Sequence, residues 1–355
     1  MIAERLKNLS QACAEVEAMI ISSPENRRYL SGFSGSSGAL LIHDGVGELI
    51  TDSRYWEQAG MEAPELELIQ QRQPLWPQVA AVVRERGYRT VGFEVDKISV
   101  ATWQGLLQST PQVKWVGLSE RVERLRMLKT AEEIRHLGQA AQIASTALER
   151  ALARMRPGCE EHEIAVELEW QMRKLGSEGL SFDTIVASGP RSALPHARPS
   201  GRRIREGDLL TIDFGATVAG YHSDETVTVG VGEVLGQARD IFDVVCLAQS
   251  RAMEQVVGGF PVSEVDRVAR EAIDGAGYGD YFGHSTGHGV GLEVHEAPLV
   301  ALHSSDVRLE PGMVLTVEPG IYLPGKFGVR LEDTLVVTGD GSERLTKIEK
   351  VWREL

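Results

Sequence analysis

The chain has 355 residues, with 37 Lys and Arg against 51 Asp and Glu and a formal charge of -14. That balance excludes nucleic acid and an anionic membrane as the main partner, since both demand clustered basic side chains, and the length suggests two domains. The first residues alternate charge with apolar side chains, which fits neither a signal peptide nor a membrane anchor, and no stretch approaches the roughly 18 consecutive apolar residues of a spanning helix. Cys13, Cys159 and Cys246 are few, odd in number and far apart, so the expectation is a cytoplasmic protein with free thiols.

Taken in chain order, an amphipathic helix is expected near 2 to 18 and a strand around 18 to 22. "GALLIH", "GELITD" and "TVGFEVD" read as short strands; "PLWPQVAAVVRERG" and "VATWQGLLQ" read as helices. This first third is a small α/β unit. A different regime begins with the capping box of Thr130 and Glu133 and runs as one helix until Pro157 and Gly158 stop it. A boundary near residue 125 gives domains 1–125 and 126–355. Beyond it come a helix over 160 to 176, a strand-rich block over 181 to 230, helices over about 235 to 256 and 263 to 276, and a last strand-rich block from 282 to 351. Helices grouped between antiparallel-looking strand blocks point to an α+β fold.

Within the last block, "GHSTGHGVGLEVHEAP" sets His284, His288 and His295 among four glycines. A zinc-protease helix is excluded, because its second His would fall on Leu299 and Pro298 would break the helix. A phosphate loop is excluded as well, since no Lys-Ser or Lys-Thr follows the glycines. Carboxylates elsewhere supply a partner for these imidazoles. "LLTIDFGATVAGYHSDETVTVG" reads as two strands joined at Ala219 and Gly220, with Asp213 in the apolar run of the first and Asp224 in the second. Glu318 ends the apolar run of "MVLTVEPGIY", and Glu332 shares a strand face with Arg330 and Thr334 in "FGVRLEDTLVV". A bare carboxylate is costly to bury unless it is paired or binds metal. Hard oxygen donors with an imidazole form carboxylate-rich sites for divalent cations, and four carboxylates against two such ions sum to zero charge.

The chain resembles the pita-bread metallopeptidases, specifically the Xaa-Pro branch of aminopeptidase P and prolidase. "TIDFGA", "HSDETVTVG", "GHGVGLEVHEAP", "TVEPGIY" and "GVRLEDT" follow the family's order, and "NRRYLSGFSGSSGALL" and "LITDSRYWEQA" resemble its creatinase-like N-terminal domain. The resemblance implies a pita-bread catalytic domain with Asp213, Asp224, His288, Glu318 and Glu332 as ligands of two divalent ions, with Asp224 and Glu332 bridging. It also implies catalytic work for His196, His284 and His295, which would donate hydrogen bonds around the scissile bond, and Glu318 is the candidate on chemical grounds to carry the proton from the nucleophile to the leaving nitrogen. Arg330 and His222 are expected to support the ligands or the substrate. One imidazole among four carboxylates favours Mn(II), with Co(II) or Zn(II) as alternatives.

The implied substrates are peptides with proline at the second position, and the implied assembly is a homodimer. Some prolidases read the free proline carboxylate with an Arg shortly after the H-E-x-P motif, where this chain has Leu299. That departure points to an Xaa-Pro aminopeptidase, with an Xaa-Pro dipeptidase as the alternative. A methionine aminopeptidase-like enzyme is disfavoured by the extra first third, creatinase by the intact ligand set, and a non-enzymatic binding module by the same intact set.

Overall fold

The computed structural model describes residues 1–234, 236–304 and 306–355. The chain forms two units, Met1–Arg126 and Met127–Leu355. In the first, strands β1 (Ala18–Ile21), β2 (Ala39–His43), β3 (Val46–Thr51), β4 (Glu67–Gln70), β5 (Thr90–Glu94) and β6 (Lys114–Leu118) make one mixed sheet in the order β4-β3-β2-β1-β5-β6. The β2–β3 hairpin turns on Asp44 and Gly45, both at positive φ, the pairing that a tight two-residue turn requires. Helices α1 (Ile2–Ala12), α2 (Pro24–Ser31), α3 (Trp56–Glu62), α4 (Leu75–Arg86), α5 (Val100–Ser109) and α6 (Arg121–Arg126) complete the unit.

Two differences from the sequence expectation have local causes. The first helix stops at Ala12 rather than running to 18, because the chain turns toward the sheet and the Glu17 carboxylate accepts the backbone N–H groups of Arg89 and Thr90. Helix α2 was not expected at all, although its signal is present. Ser23 caps it by accepting the Asn26 N–H at 3.2 Å, and Pro24 occupies the first turn, where the missing N–H costs nothing.

The second unit opens on α7 (Ala131–Leu152) and α8 (Glu161–Lys174), and the Thr130–Glu133 capping box is formed as expected. Strands β7 (Ile185–Ser188), β8 (Leu209–Phe214), β9 (Thr217–Val218), β10 (Tyr221–His222) and β11 (Glu225–Gly230) follow, with β11-β8-β7 as a three-stranded antiparallel sheet. Helices α9 (Gln237–Met253) and α10 (Val262–Gly275) then precede β12 (Gly287–Gly289), β13 (Glu296–Val300), β14 (Val314–Val317), β15 (Gly320–Leu323), β16 (Phe327–Arg330), β17 (Asp333–Val337) and β18 (Ser342–Arg344). Of these, β13-β12-β14-β17-β18 form a five-stranded sheet and β15-β16 a separate hairpin.

Each sheet buries one face under a helix pair. Ala144, Leu148 and Leu168 from α7 and α8 pack with Ile212, Phe214 and Val227. Ile241, Val245 and Val265 from α9 and α10 pack with Leu315, Val317 and Leu335. This arrangement is the expected α+β class. One strand reading needs correction: "FGVRLEDTLVV" is not a single strand. β16 ends at Arg330 and pairs with β15, while β17 starts at Asp333 and pairs with β14, so Leu331 and Glu332 form the crossing between two sheets.

Candidate active site

Both acids of the first block ride on one hairpin. β8 and β11 pair so that Asp213 faces Thr226, and the connection turns on Ala219 and Gly220 at φ 50° and 74°, as a primed turn demands. From the other sheet, His288 sits in the middle of β12, Glu318 leaves the end of β14 with its N–H held by the Thr286 carbonyl at 2.7 Å, and Glu332 occupies the crossing into β17. These five side chains line one cavity of about 570 Å³, within the range of small-molecule sites.

The glycines around His288 are explained by close backbone approach. A Cβ on Gly287 would lie 2.0 Å from the Thr316 carbonyl oxygen, and one on Gly289 would lie 2.3 Å from that of Ala297. Gly287→Ala is therefore expected to displace β12 from β14 and cost about 1–3 kcal/mol, the usual penalty of overpacking. Thermal unfolding measures it, and an unchanged midpoint would show that β12 has room to spare.

The electrostatics are those of a site built around positive charge it does not itself supply. Asp224, His288 and Glu332 are buried, and each offers a ligand atom within 4.8 Å of the others. The Nδ1 of His288 is 3.0 Å from the Gly289 carbonyl oxygen, a contact that fixes the proton there. The unprotonated Nε2 is thereby left 3.6 Å from Asp224 Oδ2 and 3.4 Å from Glu318 Oε1. Burial pushes the His288 imidazole down to about 4, so it does not charge to meet them. A lone pair facing two carboxylates is repulsive unless a cation stands between. Burial, and then the charge of neighbouring acids, pushes Asp224 and Glu332 well above the ordinary carboxylate range, and burial pushes Glu318 up to about 7. Asp213 Oδ2 receives Arg330 Nη2 at 2.7 Å, whereas its buried Oδ1 has no hydrogen-bond partner among the described residues. These donors, with their orphaned oxygen and crowded carboxylates, fit a divalent metal site.

Around this cluster the other expected residues divide. His196 and His295 line the cavity and are exposed, and the His295 ring packs against His288 with centroids 4.3 Å apart. His284 lines the cavity too, but its Nδ1 lies 2.7 Å from the Ser285 carbonyl oxygen and its Nε2 3.0 Å from the Tyr322 hydroxyl, and burial pushes it down to about 4. This neutral ring ends a chain of side chains that runs through Tyr322 to Arg330. Arg330, buried, donates to Asp213, to the Tyr322 hydroxyl at 3.0 Å, to the Pro195 carbonyl at 3.1 Å and to Thr226 Oγ1 at 3.2 Å. Its donors are thus spent on Asp213 and its surroundings, which suits ligand support and leaves it unsuited to bind a substrate carboxylate. His222 is not among the cavity-lining residues; its ring is 3.4 Å from Thr217 Oγ1 and its N–H bonds the Gly291 carbonyl.

Sequence reasoning missed Tyr322, Thr226 and Arg198. Tyr322 closes the quoted "TVEPGIY" and could have been found there. Thr226 donates to Glu332 Oε2 at 2.6 Å, a contact made across two sheets that a strand pattern does not announce. Arg198 lines the cavity and is exposed, and its guanidinium has no partner among the described residues. A second cavity of about 480 Å³ lies in the first unit, but its Cys13 thiol is pushed up to about 11 by burial and is no nucleophile at neutral pH.

Comparison with known proteins decides the lineage. The signature of metallopeptidase family M24 matches residues 135–339, and that of the creatinase/prolidase N-terminal domain matches residues 5–128. The chain belongs to metallopeptidase family M24. The M24 chain is 38% identical to an Xaa-Pro dipeptidase of Pyrococcus furiosus over 98% of its own length and 99% of the relative's. Its fold superposes on an Xaa-Pro dipeptidase from Bacillus anthracis with a TM-score of 0.97 at 43% identity, covering 100% of both chains. An X-Pro aminopeptidase from Thermotoga maritima gives a TM-score of 0.91 at 37% identity, covering 99% of both. Xaa-Pro dipeptidases and prolidases recur among the similar proteins, so the relatives favour the dipeptidase alternative over the aminopeptidase reading drawn from Leu299.

Proposed function

We propose that this chain is an Xaa-Pro dipeptidase whose cavity holds two divalent cations, Mn(II) by preference, on Asp213, Asp224, His288, Glu318 and Glu332. The observation that carries the reading is the convergence of these five side chains from two sheets on one cavity, with Asp224, His288 and Glu332 within mutual ligand distance. When bound, such ions lower the pKa of water toward neutrality and polarise a carbonyl oxygen. Glu318, on the cavity wall, is placed to take a proton from the attacking water and pass it to the leaving proline nitrogen. His295 and His196 offer N–H groups to the carbonyl oxygen as it gains charge. Arg330 holds Asp213, and the Tyr322–His284 pair holds Arg330. The Xaa-Pro amide has no N–H, so the site needs no acceptor for one. Phe182, Ile185, Val294 and Leu299 give the proline ring an apolar wall.

A dipeptide ends in a carboxylate, and Arg198 is a cation on this cavity whose donors have no partner among the described residues. Arg198→Ala should therefore raise KM for an Xaa-Pro dipeptide by roughly 10–100-fold, the value of about 1.5–3 kcal/mol for a hydrogen bond to a charged group, and leave an Xaa-Pro-Yaa tripeptide unaffected. Equal effects on both substrates would remove Arg198 from this role. The reading as a whole is tested by comparing the two substrates on metal-loaded protein. Faster cleavage of the dipeptide is expected, faster cleavage of the tripeptide would return the reading to aminopeptidase P, and cleavage of neither would end it.

Placement in the cytoplasm is part of the proposal and is supported by three free cysteines; no helix among the described residues is long and apolar enough to cross a membrane. A homodimer is carried forward from the family resemblance, and light scattering on the purified protein tests it.

A further inference from the structure

Behind the cavity, on the far side of the strands that carry the acids, lies a second set of buried charges that the proposed reaction does not use. Neighbouring residues on extended chain point to opposite sides, so Glu225 and Asp333 turn away from the cavity that Asp224 and Glu332 line. Both are essentially inaccessible, at 0% and 1% exposure. Between them sits one cation, Lys350, from the segment after β18. Its Nζ is 2.6 Å from Glu225 Oε1 and 3.3 Å from Asp333 Oδ1.

Neutral groups surround the pair, among them the Thr346 hydroxyl, which donates to Asp333 Oδ1. Ser145 of α7 donates to Glu225 Oε2 at 2.7 Å, and the Ile348 N–H to Glu225 Oε1 at 3.2 Å. Gln249 of α9 donates to Asp333 Oδ2 at 3.1 Å and to the Val317 carbonyl at 3.3 Å. Each anchored position is the chain neighbour of a proposed ligand: Glu225 of Asp224, Asp333 of Glu332, and Val317 of Glu318. The strands bearing three of the four carboxylates are thus tied to one another from behind, where the ammonium group joins Glu225 of one sheet to Asp333 of the other, beside the direct links of the Thr334 hydroxyl to the Asp224 carbonyl at 2.7 Å and of the Glu332 N–H to the Thr226 carbonyl at 3.1 Å.

We propose that Lys350 is a positioning residue of the metal site, fixing the strand ends that carry Asp224 and Glu332 through Glu225 and Asp333. The inference rests on the metal-site reading above. Ligand atoms must lie within about 0.2 Å of their proper distances for a site to hold its ion well. A shift of β11 against β17 by about 0.2 Å reaches that tolerance. A merely structural lysine would lower thermal stability when replaced and leave ion affinity untouched.

Calorimetric titration of manganese(II) into metal-stripped full-length protein separates these cases. Lys350→Met is expected to weaken binding by about 10–100-fold, the usual effect of losing a group that orients ligands, with KM for the dipeptide at saturating metal unchanged. Lys350→Arg should recover part of the loss. Lys347→Met, which removes an exposed cation from the same segment, should bind as the unsubstituted protein does. Folded Lys350→Met with unaltered affinity overturns the proposal. Should that variant fail to fold, Lys350→Arg decides, since it keeps the charge and moves the donors that hold Glu225 and Asp333: weakened binding supports the proposal and unaltered binding overturns it. If the unsubstituted protein takes up no ion, the metal-site reading itself fails, an outcome visible before any variant is made.

Discussion

Glu318→Gln keeps its metal and loses turnover. The amide preserves the shape of the side chain, one oxygen acceptor and the backbone anchor to Thr286 at 2.7 Å, so the ion-binding group is changed little. It removes the one feature the proposed shuttle needs, an oxygen that can gain and release a proton at neutral pH. In the metal-free protein, burial pushes this carboxyl up to about 7. Loss of a positioned acid or base is worth roughly 10²–10⁴-fold, and kcat is expected to fall by that factor with KM nearly constant. Elemental analysis of the same preparation should find the ions still bound. Near-normal kcat on metal-loaded Glu318→Gln would assign the proton transfer to another group.

Chelation abolishes hydrolysis, and it also reverses the usual response of stability to pH. Without ions, the raised values of Asp224, Glu318 and Glu332 mean that the folded chain binds protons more tightly than the unfolded one. Such groups favour the folded state fully below the unfolded carboxylate value, about 4. The benefit is lost as pH rises through their folded values, which for Glu318 is about 7. Metal-stripped protein should therefore lose thermal stability between pH 5 and pH 8, and the gain in Tm on adding manganese(II) should be larger at pH 8. The ions replace the protons, so titration near neutrality should also release protons to the buffer. A Tm gain independent of pH would mean that the acids are already ionised and balanced without metal.

What the sequence made legible follows the physics of each feature. The helices carry their own periodicity and caps, and α7 begins at the box formed by Thr130 and Glu133. Asp213, Asp224 and Glu318 stood out because each breaks an apolar run, an anomaly visible in one dimension. Lys350 could not stand out, since "KIEKVWREL" reads as a solvated tail and its two partners lie 125 and 17 residues away, on different strands. The break at Leu331 and Glu332 was hidden for a related reason: two short strands in different sheets keep the same alternation as one long strand. The leaning toward longer peptides came from reading Leu299 alone, whereas carboxylate recognition can be met from any wall of a cavity, and Arg198 stands in a loop far away in sequence.

The proposed ligands are divided between two separately packed halves of the second unit, with Asp213 and Asp224 on the hairpin under α7 and α8 and the other three on the strands under α9 and α10. An ion pair seated there acts as a clasp, sharing its charge across the seam between the two cores. Metal bound at that seam would then also resist its opening, because a ligand held by both halves stabilises only the closed form.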